Sequence, residues 1–230
     1  MRAGLTLREL DRNQFLVNLD ACAGIYAAAM NPPAEQLPGR YVIMQRHSGY
    51  AAFRAVAAIM LPDGGEAPLG AAPDGGAMPG GRTVPGGGGQ GARPLLVGFA
   101  YGFHGLGGQW WYDVVRRAAA SALGARTADD WFGDSLEIAE VHVLPGHQGH
   151  GTGLAMMLRL TAGRPERAAV LSTMDANTRA RRLYHGLGFT DLLTGFEFPG
   201  TDLPYAIMGA PLPLPGASPR SARPGKPSRS

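Results

Sequence analysis

A chain of 230 residues with 45% hydrophobic content is long enough for one well-filled globular domain, or at most two small ones. It has no apolar run of about eighteen residues, and the opening MRAGLTLRELDRNQ is charged where a secretion signal is apolar; this argues against a membrane span or export and for a soluble, cytoplasmic protein. The net charge of +3 comes from the last twenty residues, where Arg220, Arg223, Lys226 and Arg229 stand without an acid; removing those four charges leaves the body at −1, so specific nucleic-acid binding is not expected.

Along the chain, Leu5 to Leu10 alternates as a first strand, and Asn13 to Met30 places Phe15, Leu16, Leu19, Cys22, Ala23 and Tyr26 at helical spacing. Cys22, the single cysteine, sits among small apolar residues and reads as packing rather than chemistry. Asn31-Pro32-Pro33 ends that helix, a second covers Ala34 to His47 with an interruption near Pro38, and Phe53 to Met60 is a strand. Residues 62–94 are mostly Gly, Pro, Ala and Asp, without periodicity, and read as a flexible insertion in the turn before the strand Leu95 to Phe103. Trp110 to Leu123 is an amphipathic helix. Then come a strand at Leu136 to Val143, a glycine loop, a helix at Gly151 to Ala162, a strand at Ala168 to Met174, a helix at Asn177 to Leu187, and strands at Leu192 to Phe198 and Tyr205 to Ala210. The natural packing is a mixed sheet with helices on both faces, one domain over 1–210, followed by a disordered basic tail over 211–230.

The glycine loop Pro145 to Gly153, PGHQGHGTG, joins a strand to a helix. Such a junction offers free backbone N–H groups and the positive end of a helix dipole, which favour an anion such as phosphate. The phosphate loop G-x-x-x-x-G-K-S/T is excluded because no lysine is near, and the dinucleotide pattern G-x-G-x-x-G fails at Leu154. Downstream, Asn177 stands as an N-cap or ligand contact at a strand end, opening a helix with Ala180, Leu183, Tyr184 and Leu187 on one face.

The order V-x-P-x-x-Q-x-x-G-x-G, a strand, then N-x-x-A-x-x-L-Y-x-x-L-G-F resembles the GNAT superfamily of N-acetyltransferases. The matching residues are Val143, Pro145, Gln148, Gly151 and Gly153, then Asn177, Ala180, Leu183, Tyr184, Leu187, Gly188 and Phe189. The resemblance implies an α/β (α+β) fold: a mixed, mostly antiparallel sheet of six or seven strands, helices on both faces, and a splay between strands four and five. It implies acetyl-CoA as cosubstrate, with no metal. The pyrophosphate would lie on Gln148, Gly149, His150, Gly151, Thr152 and Gly153, and the pantetheine along Val141 and Val143, with Asn177 nearby. Main-chain contacts in place of a cation would make binding only weakly salt-dependent.

Acetyl transfer to an amine requires that the nucleophile lose a proton. A lysine-like amine with pKa ~10.4 is neutral less than once in a thousand at pH 7, a cost of about 4.6 kcal/mol. Glu137 and Glu140 are the candidate bases. Three residues apart, they fall on opposite faces of a regular strand, so only one can serve a given cleft unless a bulge intervenes. The resemblance places the base at Glu137 or Glu140, with Ser172 on the fifth strand as another option, and makes Tyr184 the general acid. The oxyanion would be met by a main-chain N–H near Val143. His142, His147 and His150 straddle a strand and a loop and do not have metal-ligand spacing. His150 could instead touch phosphate, His104 could line the acceptor cleft, and Trp110, Trp111 and Trp131 could shape that cleft but read first as packing of the extra helix. The expected acceptor is a small-molecule primary amine, attacked directly in a ternary complex. A protein N-terminal or lysine amine, or a non-catalytic acyl-CoA-binding module, are the alternatives, and a homodimer is left open.

Overall fold

The structure, a computed structural model, describes residues 4–61 and 94–217. Its order is β1 (Leu5–Leu10), α1 (Arg12–Val17), α2 (Leu19–Met30), α3 (Leu37–His47), β2 (Arg54–Met60), β3 (Leu95–His104), α4 (Trp110–Leu123), α5 (Ala125–Phe132), β4 (Ser135–Val143), α6 (Thr152–Thr161), β5 (Ala168–Met174), α7 (Arg179–Gly186), β6 (Thr190–Glu197) and β7 (Pro204–Pro211). The seven strands form one sheet in the order β1-β2-β3-β4-β5-β7-β6. Every pairing is antiparallel except β4 with β5. This is the mixed, mostly antiparallel α/β architecture expected.

Local chemistry accounts for the differences in detail. The single helix expected over Asn13 to Met30 breaks at Asn18, whose side-chain amide donates to the Gln14 carbonyl at 2.7 Å and competes with the helical ladder. Asp11 and Gln14 close the first piece with a reciprocal capping box. Pro38 does not interrupt a helix. It sits in the first turn of α3, where its missing N–H costs nothing, and Ala34–Gln36 forms a separate 3-10 turn. The second α7 expectation also shifts: Thr178, not Asn177, is the N-cap, accepting from the Arg181 amide.

Three apolar clusters pack the two faces. Met156, Met157 and Leu160 of α6 and Tyr184 of α7 lie with Ile138, Val143, Leu171 and Met208 on one face. On the other, Phe15, Leu19, Cys22 and Met44 of α1 to α3 cover Phe99, Tyr101 and Phe103 of β3, while α4 and α5 cover Val170 and Ile207. Burial pushes the Cys22 thiol up to about 12, consistent with its packing role.

Of the expected insertion only Pro94, and of the expected tail only Pro211 to Ala217, lie among the described residues. The latter stretch moves the domain boundary. Pro211 closes β7 opposite Ala168, and Leu214 is 2% exposed in the core. The apolar Leu-Pro-Leu-Pro of residues 212–215 differs from the basic stretch that follows it.

Candidate active site

The ladder between β4 and β5 pairs only Ser135 to Glu137 with Ala168 to Val170, although β4 continues to Val143 and β5 to Met174. Beyond Glu137 the two strands part, leaving one main-chain edge of β4 without a strand partner among the described residues.

At the far end of that edge lies the glycine loop. His147 and Gln148 spend their amides on the carbonyls of Leu144 and Pro145 in a 3-10 turn. Gln148 then donates from Nε2 to the Val143 carbonyl at 3.0 Å, fastening the loop to the strand end. Gly149 and Gly151 both have φ of +80°, a left-handed conformation that a side chain disfavours. From Gly149 to Leu154, among the described residues, no backbone N–H donates to a backbone carbonyl; the helical ladder begins with Ala155 to Gly151 at 2.9 Å. These amides, at the positive end of a ten-residue helix, are chemically suited to a diphosphate. Thr152 is buried at 3%, and a Cβ on Gly153 would press on Leu183 at 3.3 Å. His150 is exposed, its Nδ1 2.8 Å from the Gln148 carbonyl oxygen.

The glutamates depart from the regular-strand expectation. Across β3 and β4, Phe103 faces Glu137, Gly102 faces Ile138 and Tyr101 faces Glu140, so Ala139 is an extra residue in a β-bulge. The bulge restores parity: Glu137, Glu140 and His142 all share the face of Phe103, Tyr101 and Phe99. Gly102 is required there, because a Cβ would stand 2.5 Å from the Glu137 carbonyl oxygen.

Though on one face, the two carboxyls have opposite surroundings. Glu140 bonds Arg40 of α3 at 2.9 Å and is hydrogen-bonded by His142. Burial opposes its charge, yet His142 and Arg40 together hold its pKa below the usual carboxylate range. Arg40 stacks over the Tyr26 ring at 4.8 Å, and Tyr26 meets His142 edge-on. Glu137 is 3% exposed, its Oε2 has no hydrogen-bond partner among the described residues, and burial pushes its pKa up to about 8. It stands where β4 and β5 begin to part, on the face where the cluster under α1 to α3 gives way to that under α4 and α5.

Tyr184 lies on the opposite face, 8% exposed, its ring 5.8 Å from Phe189. Burial, then the charge of Glu140, pushes its pKa up to about 12. Val141 and Val143 turn toward the same cluster. Asn177 is exposed and its side-chain oxygen accepts from Arg182 at 2.7 Å. Ser172 accepts from the Trp111 indole at 3.1 Å. His104 turns to Glu166 at 3.3 Å, a carboxylate also held by Arg164, away from the glutamate pair. Trp110 is 58% exposed beside Phe198, and Trp131 packs under Gly209. Among the described residues no cluster of His, Cys, Asp and Glu could hold a metal ion, and no helix is long and apolar enough to cross a membrane. The sequence allows for a bulge between the glutamates without placing one, and it does not identify Arg40 or the Thr178 cap; Gly102 opposite Ile138 marks the bulge only once the register is known.

The site therefore combines a parting parallel strand pair, a strand–loop–helix of unpaired amides and a buried carboxyl at the fork. Residues 96–189 match the Acetyltransferase (GNAT) family, a family of acyltransferases. A GCN5-like protein acetyltransferase of Mycobacterium tuberculosis is 42% identical over 127 residues, 52% of this chain and 60% of that protein, so the chain spans about three-fifths of the length of this curated relative. The fold is also that of NAA60 of Arabidopsis thaliana, solved with a bisubstrate analogue (TM-score 0.52, 16% identity, 90% of this chain and 97% of that one). The ribosomal-protein-S18-alanine N-acetyltransferase of Escherichia coli is similar as well (TM-score 0.52, 15% identity, 92% and 96%).

Proposed function

We propose that the protein transfers the acetyl group of acetyl-CoA to a primary amine by direct attack, with Glu137 as base. The observation that carries this reading is the end of the β4–β5 ladder at Glu137, beside a carboxylate oxygen without a partner. Acetyl-CoA supplies the activated acetyl group. The amides of Gly149 to Gly153 would hold its pyrophosphate, and the free edge of β4 at Val141 and Val143 its pantetheine. The main chain of Ala139, left out of the β3 ladder by the bulge, is better placed than Val143 to stabilise developing negative charge.

Burial suits Glu137 to the task. Moving a proton from a lysine-like ammonium of pKa ~10.4 to an ordinary glutamate is uphill by roughly 8 kcal/mol; to a carboxyl at about 8 it is uphill by roughly 3. For an α-amino group of pKa ~7.7–8.0 the two nearly match. Glu140, already held by Arg40 and His142, positions the wall of the cleft instead. Tyr184 at about 12 is a weaker acid than a free phenol; full donation to a thiolate of pKa ~8.5 would be uphill by roughly 5 kcal/mol, so its role is a hydrogen bond to the leaving sulfur.

The small-molecule acceptor is one arm of this proposal. A protein amine is the other, favoured by the relative named as a protein acetyltransferase. The test is free-thiol release from acetyl-CoA with polyamines, lysine peptides and peptides with a free α-amine. Turnover with at least one amine class, lowered about 10²- to 10³-fold by Glu137→Gln at unchanged CoA affinity, is expected. CoA binding without turnover on any amine would leave an acyl-CoA-binding module.

A further inference from the structure

Three arginines open α7, and their surroundings differ. Arg181 is held by Asp175 and Asp191, and Arg182 by the side chain and carbonyl of Asn177. Arg179 makes no hydrogen bond or ion pair among the described residues, and its Nη1 lies 3.6 Å from where a Cβ on Gly149 would stand. That position lies against the loop of unpaired amides, which otherwise carries no formal positive charge. A guanidinium kept free of acids at the rim of an amide cradle offers planar, charge-assisted donors to a phosphate oxygen.

Building on the acetyl-CoA reading, we propose that Arg179 is a further phosphate contact of the donor substrate, reaching either the pyrophosphate or the 3′-phosphate of the nucleotide. It supplies the cation missing from the loop's own sequence, so donor binding is more salt-dependent than an all-amide cradle would be.

The experiment is calorimetric titration of the full chain with CoA, 3′-dephospho-CoA and pantetheine at low and high salt, for the native protein, Arg179→Gln and Arg179→Lys. The expected result is a five- to tenfold loss of CoA affinity in R179Q, a flatter salt dependence, partial recovery in R179K and unchanged pantetheine binding. Equal losses for CoA and dephospho-CoA assign the contact to the pyrophosphate; a loss confined to CoA assigns it to the 3′-phosphate. Native-like CoA affinity and salt dependence in R179Q would overturn the proposal while leaving the donor reading intact. No CoA binding by the native protein would instead remove the donor reading itself. Arg179 is exposed, so a matching thermal melt of each variant separates a lost contact from a lost fold.

Discussion

On the α6–α7 side of the strand fork the site is built from main chain: two left-handed glycines and a helix start leave a row of amides without backbone partners among the described residues. On the α2–α3 side it is built from side chains in unequal environments: Glu140 is clasped by Arg40 and His142, while Glu137 is buried alone. A main-chain site is set by short-range backbone geometry and tolerates many side chains. A side-chain site depends on register and on partners distant in sequence, and one inserted residue, Ala139, decides which carboxyls share the cleft.

The sharpest way to break the comparison is to titrate the two glutamates through stability. Glu137 has a raised pKa, so the folded state keeps it neutral while the unfolded chain ionises it. Its contribution is intact below about 4.5 and is lost as pH rises through about 8. Glu137→Gln should therefore gain on the native protein by up to about 5 kcal/mol between pH 4 and pH 9 in chemical denaturation. Glu140 has a lowered pKa, so its contribution is present above the ordinary carboxylate range and is lost as pH falls below it. Glu140→Gln should cost about 1–3 kcal/mol at neutral pH, moderated by the solvent exposure of Arg40, with the deficit shrinking in acid. If both variants moved in the same direction with pH, the two environments would not be opposite.

Next in size is Tyr184→Phe, which tests what crosses the sheet between the two sides. A hydrogen bond to the leaving sulfur predicts a fall in kcat of about ten- to a hundredfold with little change in CoA affinity. A proton fully donated by Tyr184 predicts in addition a falling limb of the pH–rate profile near 12 that the variant loses.

What the sequence made legible follows the same division. The loop and α7 could be read because contiguous residues, Gln148 to Gly153 and Asn177 to Phe189, make up each element and carry its chemistry. Periodicity marks the strands and most helices, and their alternation points to a mixed sheet with helices on both faces; the order of the strands is set by long-range pairing that periodicity does not carry. Alternation puts the two glutamates on opposite faces unless a bulge intervenes, and the bulge that does intervene arises between β3 and β4, where Gly102 and Ala139 lie 37 positions apart. Arg40 could not be assigned to Glu140 across 100 positions by any local rule. Asn177, an N-cap or ligand contact by sequence, and Gln148, part of the main-chain cradle by resemblance, have side chains bonded to Arg182 and to the end of β4. The break at Asn18 and the seat of Pro38 in the first turn of α3 are decided over a few residues, where capping chemistry competes with helical period.

The smallest expected effect isolates the main-chain side. Gly151 has φ of +80° and open space where a Cβ would go, so Gly151→Ala clashes with nothing and acts through backbone strain alone. It should lower stability by about 1 kcal/mol, and if the chain relaxes that strain by turning amides away, CoA affinity falls about tenfold. Gly146→Ala is the matched control: it lies in the same loop with equally open space, and its φ is not positive. Calorimetry on the pair separates backbone direction from loop bulk. A loss in Gly151→Ala that Gly146→Ala does not share is what an anion held by oriented amides requires. Equal affinities in both would mean that the turn of the main chain at residue 151 does not aim the donors.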